Sequence, residues 1–204
     1  LVLLAGCVAV AWPAGSLLVP RNGGHPVGDP AWSWAFLGLL AGGFAAYATA
    51  LLVAARGGVS LRAALALAIA IQLAPLAAPL LLSTDAWTYW VYARISVVHG
   101  GNPYSDVPAA LPLDPAFAHA GAHWQHTPSV YGPAFSLASE PLALLSGGSA
   151  AAAAWLYKAL AALGMVAAAA FAARLSRRPA LALVLVGWSP LLAVHAAGAG
   201  HNDA

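Results

Sequence analysis

Ser83-Thr84-Asp85-Ala86-Trp87-Thr88-Tyr89-Trp90-Val91-Tyr92-Ala93-Arg94 is polar and aromatic, and it opens a long loop between blocks that belong in a lipid bilayer. The 204-residue chain is 62% hydrophobic and 7% charged, where soluble domains carry about 25% charged residues. Its mean hydropathy is +0.80. The apolar residues come in blocks of roughly 20, the length of helix that crosses a hydrocarbon core of about 30 Å. Backbone polar groups in lipid must be satisfied within the spanning structure, which leaves helices or a closed barrel. Alanine- and leucine-rich blocks without alternation select helices. The expected fold is all-α, a polytopic transmembrane protein with interfacial helices in a large exterior loop.

Five spans are expected, at about 1–20, 32–55, 62–82, 150–173 and 180–197, with the loop covering 83–149. The stretch 133–147 is apolar but short, and contains Glu140-Pro141. Charge decides whether it crosses. Cytoplasmic loops are enriched in Lys and Arg. Without a crossing at 133–147, Arg56 and Arg62 fall on the same side as Arg174, Arg177 and Arg178, and all six acids fall on the other. The stretch is therefore read as a re-entrant or interfacial helix, and the loop and tail as exterior. The chain begins without methionine and stops just after a polar motif, so it is read as a fragment of a longer protein. A net charge of +2 gives no reason to expect nucleic acid, and the single cysteine, Cys7, forms no intrachain disulfide.

Within the loop, Ser83 or Thr84 can cap a helix running from about Asp85 to His99, ended by Gly100-Gly101. Asp85, Thr88 or Tyr89, and Tyr92 share one face. Trp87, Trp90 and Arg94 share another, which suits the headgroup layer, so this helix is expected on the membrane surface. Asp85 reads as an N-cap, as a catalytic base, or as both. His119, His123 and His126 read as metal ligands, as part of a sugar- or phosphate-binding rim with Trp and Tyr, or as members of a proline-rich loop. Lys158 is the only lysine and lies inside an apolar block, about 12 Å from its outer end. A charge at that depth is a functional candidate or a snorkelling side chain. His195 reads as a helix-packing histidine or a site residue, and Asn202 and Asp203 as the cap of a following helix.

Ser83-x-Asp85 followed by Tyr89, Tyr92 and Arg94, then Gly100-Gly101-Asn102-Pro103-Tyr104, Tyr131-Gly132-Pro133, and Ser189-Pro190…His195…Gly200-His201-Asn202-Asp203 together resemble a family. It is that of the polyprenol-phosphate-mannose-dependent α-1,6-mannosyltransferases (MptA/MptB type) of the GT-C glycosyltransferase superfamily. The resemblance implies that residues 1–204 are the N-terminal part of one GT-C-type membrane domain, a multi-pass cell-membrane enzyme with its active site on the extracytoplasmic face. It implies Asp85 as general base. It implies that Tyr89, Arg94, Asn102 and Tyr104 shape the loop, and that Tyr131, Lys158, His195, His201, Asn202 and Asp203 line the donor or acceptor site. The implied partners are a polyprenyl-phosphate sugar donor, a glycolipid or glycan acceptor and the bilayer. No cofactor is called for, and a divalent metal stays open.

The expected reaction is attack of an acceptor hydroxyl on the anomeric carbon of mannose with inversion, Asp85 taking the proton. Lys158 or Arg94 would meet the charge of the leaving phosphate. Such a step would serve lipomannan-type assembly of the cell envelope. A polyprenyl-phosphate-dependent arabinosyl- or glucosyltransferase is the close competitor. A transporter or lipid flippase is the competitor from another class, although transporters gather their ionisable residues near the midplane.

Overall fold

The computed structural model describes residues 1–20 and 28–202. Among these the fold is all-helical; its only β feature is an isolated bridge between Ser16 and Asp29. The helices are α1 (Val2–Ala9), α2 (Pro30–Ala55), α3 (Leu61–Leu73, continuing as a 3₁₀ turn over Ala74–Ala77), α4 (Asp85–Val97), α5 (Pro133–Ser146), α6 (Ala150–Leu175), α7 (Pro179–Gly187) and α8 (Pro190–Leu192), which passes into a π-helical segment, Ala193–Gly198. Hydroxyl and carboxylate caps start four of them, Ser189 serving α8. Asp29 accepts from the Ala31 N–H at 2.8 Å, Ser60 from Ala63 at 3.2 Å and Ser149 from Ala152 at 3.2 Å, each satisfying an otherwise orphaned donor.

Helices α2 and α6 have 26 residues each. At 1.5 Å per residue each is about 39 Å long, enough to cross a membrane. Helix α7 and the segment Pro190–Gly198 together make a third candidate, bent by 45°. The five apolar blocks are thus not five long helices. Block 1–20 is helical only over Val2–Ala9, after which Trp12-Pro13 and Gly15 divert the chain. Block 62–82 is helical to Ala77, where Pro75 tightens the last turn and Pro79 forbids another. Hydropathy counts apolar residues, while proline decides how many of them share one helix.

The ends of the bundle differ in character. Ala54, Ala64, Ala169, Leu183 and Val184 form one core cluster, with Val59, Ala173 and Ala180 packed on it. That cluster joins the C-terminal ends of α2 and α6 to the N-terminal ends of α3 and α7. Both arginine-bearing turns therefore lie at the same end. The loop 83–149 covers the opposite end.

Helix α4 does not present a face to headgroups. Its residues Ala86 and Thr88 to Ile95 are buried, with Trp90 at 0% exposure and Arg94 at 8%. It lies between α5, the first turns of α6 and the 3₁₀ turns of the loop. Trp87 donates its indole N–H to the Ala150 carbonyl at 2.9 Å and packs on His119. Tryptophans that suit a membrane interface suit a core equally well once a second layer covers them. That layer comes from distant sequence. Helix α5 is about 21 Å long, short of a crossing, and its Leu137, Leu144 and Leu145 are exposed.

Candidate active site

The approach to Asp85 is tightly held. After α3 the chain reverses through Pro79–Leu82, and Leu82 takes φ +62°, a conformation costly for a non-glycine residue. Neighbouring elements impose it. The Leu81 N–H donates to the Gly198 carbonyl at 3.1 Å, the Leu82 N–H to Leu18 at 2.7 Å and the Ser83 N–H back to Leu81 at 2.7 Å. Lys158 adds a fourth restraint. Its side chain is not snorkelling: it is 1% exposed, and Nζ donates to the carbonyls of Ala78 at 2.5 Å and Pro79 at 3.3 Å. The lysine thereby satisfies carbonyls that no helix turn follows, and fixes the strand of chain leading to Asp85.

Asp85 begins α4. Its N–H donates to Ser83 Oγ at 3.1 Å; Thr84 holds the cap position without a side-chain bond. The carboxylate faces the C-terminal tail, where Oδ2 lies 2.9 Å from His201 Nδ1. The His201 ring stacks on His195 at 4.1 Å between centroids and 12° between planes. One helical turn along α4, the Tyr89 hydroxyl donates to Asn202 Oδ1 at 3.1 Å. The hydrogen bond from His201 holds the Asp85 carboxyl below its usual range, against a smaller opposing push from burial. Gly200 makes this docking possible. It has φ +73°, and a Cβ there would stand 3.0 Å from that of Ala86, so the backbone itself packs on α4.

A groove of about 320 Å³ starts at this tail and runs down α6. Gly200, His201 and Asn202 form its polar end, and Phe135, Tyr157 and Gly164 are among its apolar walls. Asp85 touches the polar end through His201 and does not line the groove itself.

The other expected site residues stand apart from Asp85. Arg94 is committed to Asp114, with Nε at 2.8 and 3.0 Å from the two carboxylate oxygens, and Nη1 donates to the Gly147 carbonyl at 2.6 Å. His99 Nε2 meets the same carboxylate at 2.7 Å, and the Ala116 N–H donates to it at 2.8 Å. Arg94 therefore clamps the loop through Asp114 and Gly147. Asn102 Oδ1 accepts from the Tyr104 N–H at 3.0 Å in an Asx turn, and the Tyr104 hydroxyl is 2.8 Å from Ser136 Oγ. Tyr131 packs edge-on against Tyr89 at 4.8 Å. Asp203 lies outside the described residues. Among the described residues His119, His123 and His126 do not gather as a ligand set; His119 packs on Trp87 and His123 on Trp124. Two contributors carry no sequence signal. Asp114 reads only as Asp-Pro in a loop, and Leu82 as one more leucine.

This is a helical, membrane-type chain that carries a carboxylate–imidazole pair at the end of an apolar groove. The chain belongs to the family described as alpha-(1->6)-mannopyranosyltransferase, N-terminal domain, which it matches over residues 1–204. It is also similar to a probable alpha-(1->6)-mannopyranosyltransferase of Mycolicibacterium smegmatis, 31% identical over 135 residues. The match covers 63% of this chain and 24% of that relative, so the chain spans about a quarter of the relative's length. No solved structure matches.

Proposed function

We propose that the full-length protein is a polytopic membrane mannosyltransferase of GT-C type. It moves mannose from a polyprenyl-phosphate donor to a hydroxyl of a glycolipid or glycan acceptor, with inversion, at the extracytoplasmic face. The observation that carries this reading is the meeting of Asp85 with His201 and of Tyr89 with Asn202, more than a hundred residues away in sequence, with His195 stacked on His201, at the head of the groove along α6. An apolar groove with a polar end suits a lipid-linked sugar phosphate, isoprenoid along the helix and head group at the tail. Both arginine turns lie at the far end of the bundle, and the positive-inside bias supports reading this site as extracytoplasmic. There, lipid-linked sugars are the available donors.

In this scheme the acceptor oxygen bonds to the anomeric carbon, the bond from that carbon to the phosphate oxygen breaks, and the acceptor proton passes to the Asp85–His201 pair. Arg94 and Lys158 act on the scaffold: Arg94 locks the loop through Asp114, and Lys158 holds the chain reversal ahead of Asp85. The test is transfer of labelled mannose from polyprenyl-phosphate mannose by the full-length protein in membranes. Asp85→Asn should lower the rate by at least about a hundredfold. Wild-type rates in that variant at normal expression would remove the pair from the chemistry. Arabinose or glucose transfer from the matching donors, with none of mannose, would replace the sugar. Lipid flipping without transfer would replace the reaction.

A further inference from the structure

We propose that Gln72 of α3 and Tyr47 of α2 are positioning residues for this site: they fix the direction in which the broken span α7–α8 delivers the tail to α4. The proposal rests on the glycosyl-transfer reading above and assigns a role within it. Helix α7 stops at Gly187, and Pro190, which has no N–H, opens the next segment at a 45° bend. The last carbonyls of a helix lack intrahelical donors, and within a bilayer they must find them in the protein. Two side chains from other helices serve here. Gln72 Nε2 donates to the Gly187 carbonyl at 3.0 Å, and the Tyr47 hydroxyl donates to the Leu185 carbonyl at 2.6 Å. The Trp188 indole N–H donates in turn to the Ala64 carbonyl of α3 at 2.9 Å. Gly187 lies so close to α3 that a Cβ there would stand 2.5 Å from that of Ala68. The break is thus fastened to α2 and α3 rather than left as a free hinge.

Stability alone does not account for the amide. Gln72 is 0% exposed, and among the described residues its Oε1 has no hydrogen-bond partner. The side chain therefore supplies one bond and leaves one buried acceptor unsatisfied, effects of opposite sign and similar size. An apolar residue of the same shape would avoid the second.

What the amide secures is direction. The chain from Gly187 to Gly200 is about 20 Å long at helical rise, so a change of about 10° in the bend carries Gly200 about 3 Å. That is the length of a hydrogen bond. The tail has two landing points that such a shift would break. The Gly198 carbonyl accepts from the Leu81 N–H at 3.1 Å, and Gly200 packs its backbone on Ala86, beside Asp85. Misplacement of a reacting group by about 1 Å, caused far from the chemistry, can cost about a hundredfold in rate.

The experiment combines amide hydrogen exchange with mannose transfer from polyprenyl-phosphate mannose, both on the full-length protein in membranes. Gln72→Met, close in shape but without the amide, should shift Tm by less than about 5 °C, because the lost bond and the removed orphan oppose each other. Exchange should rise about tenfold or more at Leu81 and across 196–202 and stay unchanged in the first turns of α6. A residue serving only the stability of the bundle would speed exchange in α6 as well. The kcat should fall about a hundredfold. Donor KM should change by less than about threefold, since most of the apolar groove wall stands on α5 and α6. Tyr47→Phe removes one hydroxyl and should lower kcat about three- to tenfold with the same exchange pattern. A wild-type rate in Gln72→Met overturns the proposal. So does a lost rate with exchange unchanged at Leu81 and 196–202, or raised equally in α6. Should Gln72→Met not fold, Tyr47→Phe decides, and unchanged rate and exchange in it overturn the proposal. A wild type that transfers no sugar removes the proposed function and this role together; an active wild type whose variants fail these readings removes this role alone.

Discussion

Removing one member of the Arg94–Asp114 pair should unfasten the loop from the bundle and, through α4, displace Asp85. The Asp114 side chain is 2% exposed and that of Arg94 10%. The carboxylate receives Arg94 Nε on both oxygens, His99 Nε2 and the Ala116 N–H. Breaking a buried pair from one side costs about 3–5 kcal/mol, because the other charge stays buried without compensation. At about 2–4 °C per kcal/mol for a domain of this size, Asp114→Asn should lower Tm by about 6–20 °C. Arg94→Met should do the same and also leave the Gly147 carbonyl without its donor. The double variant, Arg94→Met with Asp114→Leu, removes both charges and should cost clearly less than the sum.

The assay is thermal unfolding of the full-length protein in detergent, run as a double-mutant cycle. Additivity of the two singles to within about 0.5 kcal/mol would refute the pairing. Singles that each cost under about 1 kcal/mol would show a hydrated surface bridge. The pH dependence supplies a sign. Burial pushes the Asp114 carboxyl up, but the bonds from Arg94, His99 and the Ala116 N–H outweigh it and hold it below the ordinary carboxylate value of 3.8. The unfolded chain then binds the proton more readily. The stabilisation is full well above pH 3.8 and is lost as pH falls through the lower folded value. The Tm gap between wild type and Asp114→Asn should be constant near neutrality and shrink below about pH 4.

Gly200→Ala should undock the tail, since φ is +73° and the new Cβ meets Ala86 at 3.0 Å. The local cost is about 1–3 kcal/mol, so activity should fall far more than Tm, and an active variant would deny the tail a role. Lys158→Met leaves the Ala78 and Pro79 carbonyls without a donor and should cost about 1–3 kcal/mol, with kcat reduced and donor KM little changed. A raised donor KM at unchanged Tm would put the lysine on the donor instead. Tyr89→Phe deletes the bond to Asn202 and should cost about 0.5–1.5 kcal/mol; a larger loss of kcat than of stability would show that the bond orders the tail for transfer.

What was legible in the sequence divides along a physical line. Helix α6 could be read because its cap, Ser149, and its apolar run are contiguous, and the capping bond to Ala152 is local. The same holds for Asp85 at the start of α4, where Ser83 lies two residues away. The joining of the acid to the tail was legible only as a resemblance, since no local rule links residue 85 to residue 201. The errors share one cause. Trp90 and Arg94 read as headgroup residues because their helix alone shows an aromatic and basic face; what covers that face is loop 108–126, Asp114 included, brought in by chain closure. Lys158 reads as a snorkelling side chain because nothing near it in sequence offers a buried partner. Its partners are two backbone carbonyls left over where prolines stop α3, and a sequence does not display which carbonyls lack a donor. Leu82 is the sharpest case. Its φ of +62° opposes its own propensity, and bonds to the distant Leu18 and Gly198 carbonyls, with the local one from Ser83 to Leu81, hold it there. The residues closest to Asp85 are thus governed by tertiary restraint more than by local preference, which is how a strained backbone conformation persists.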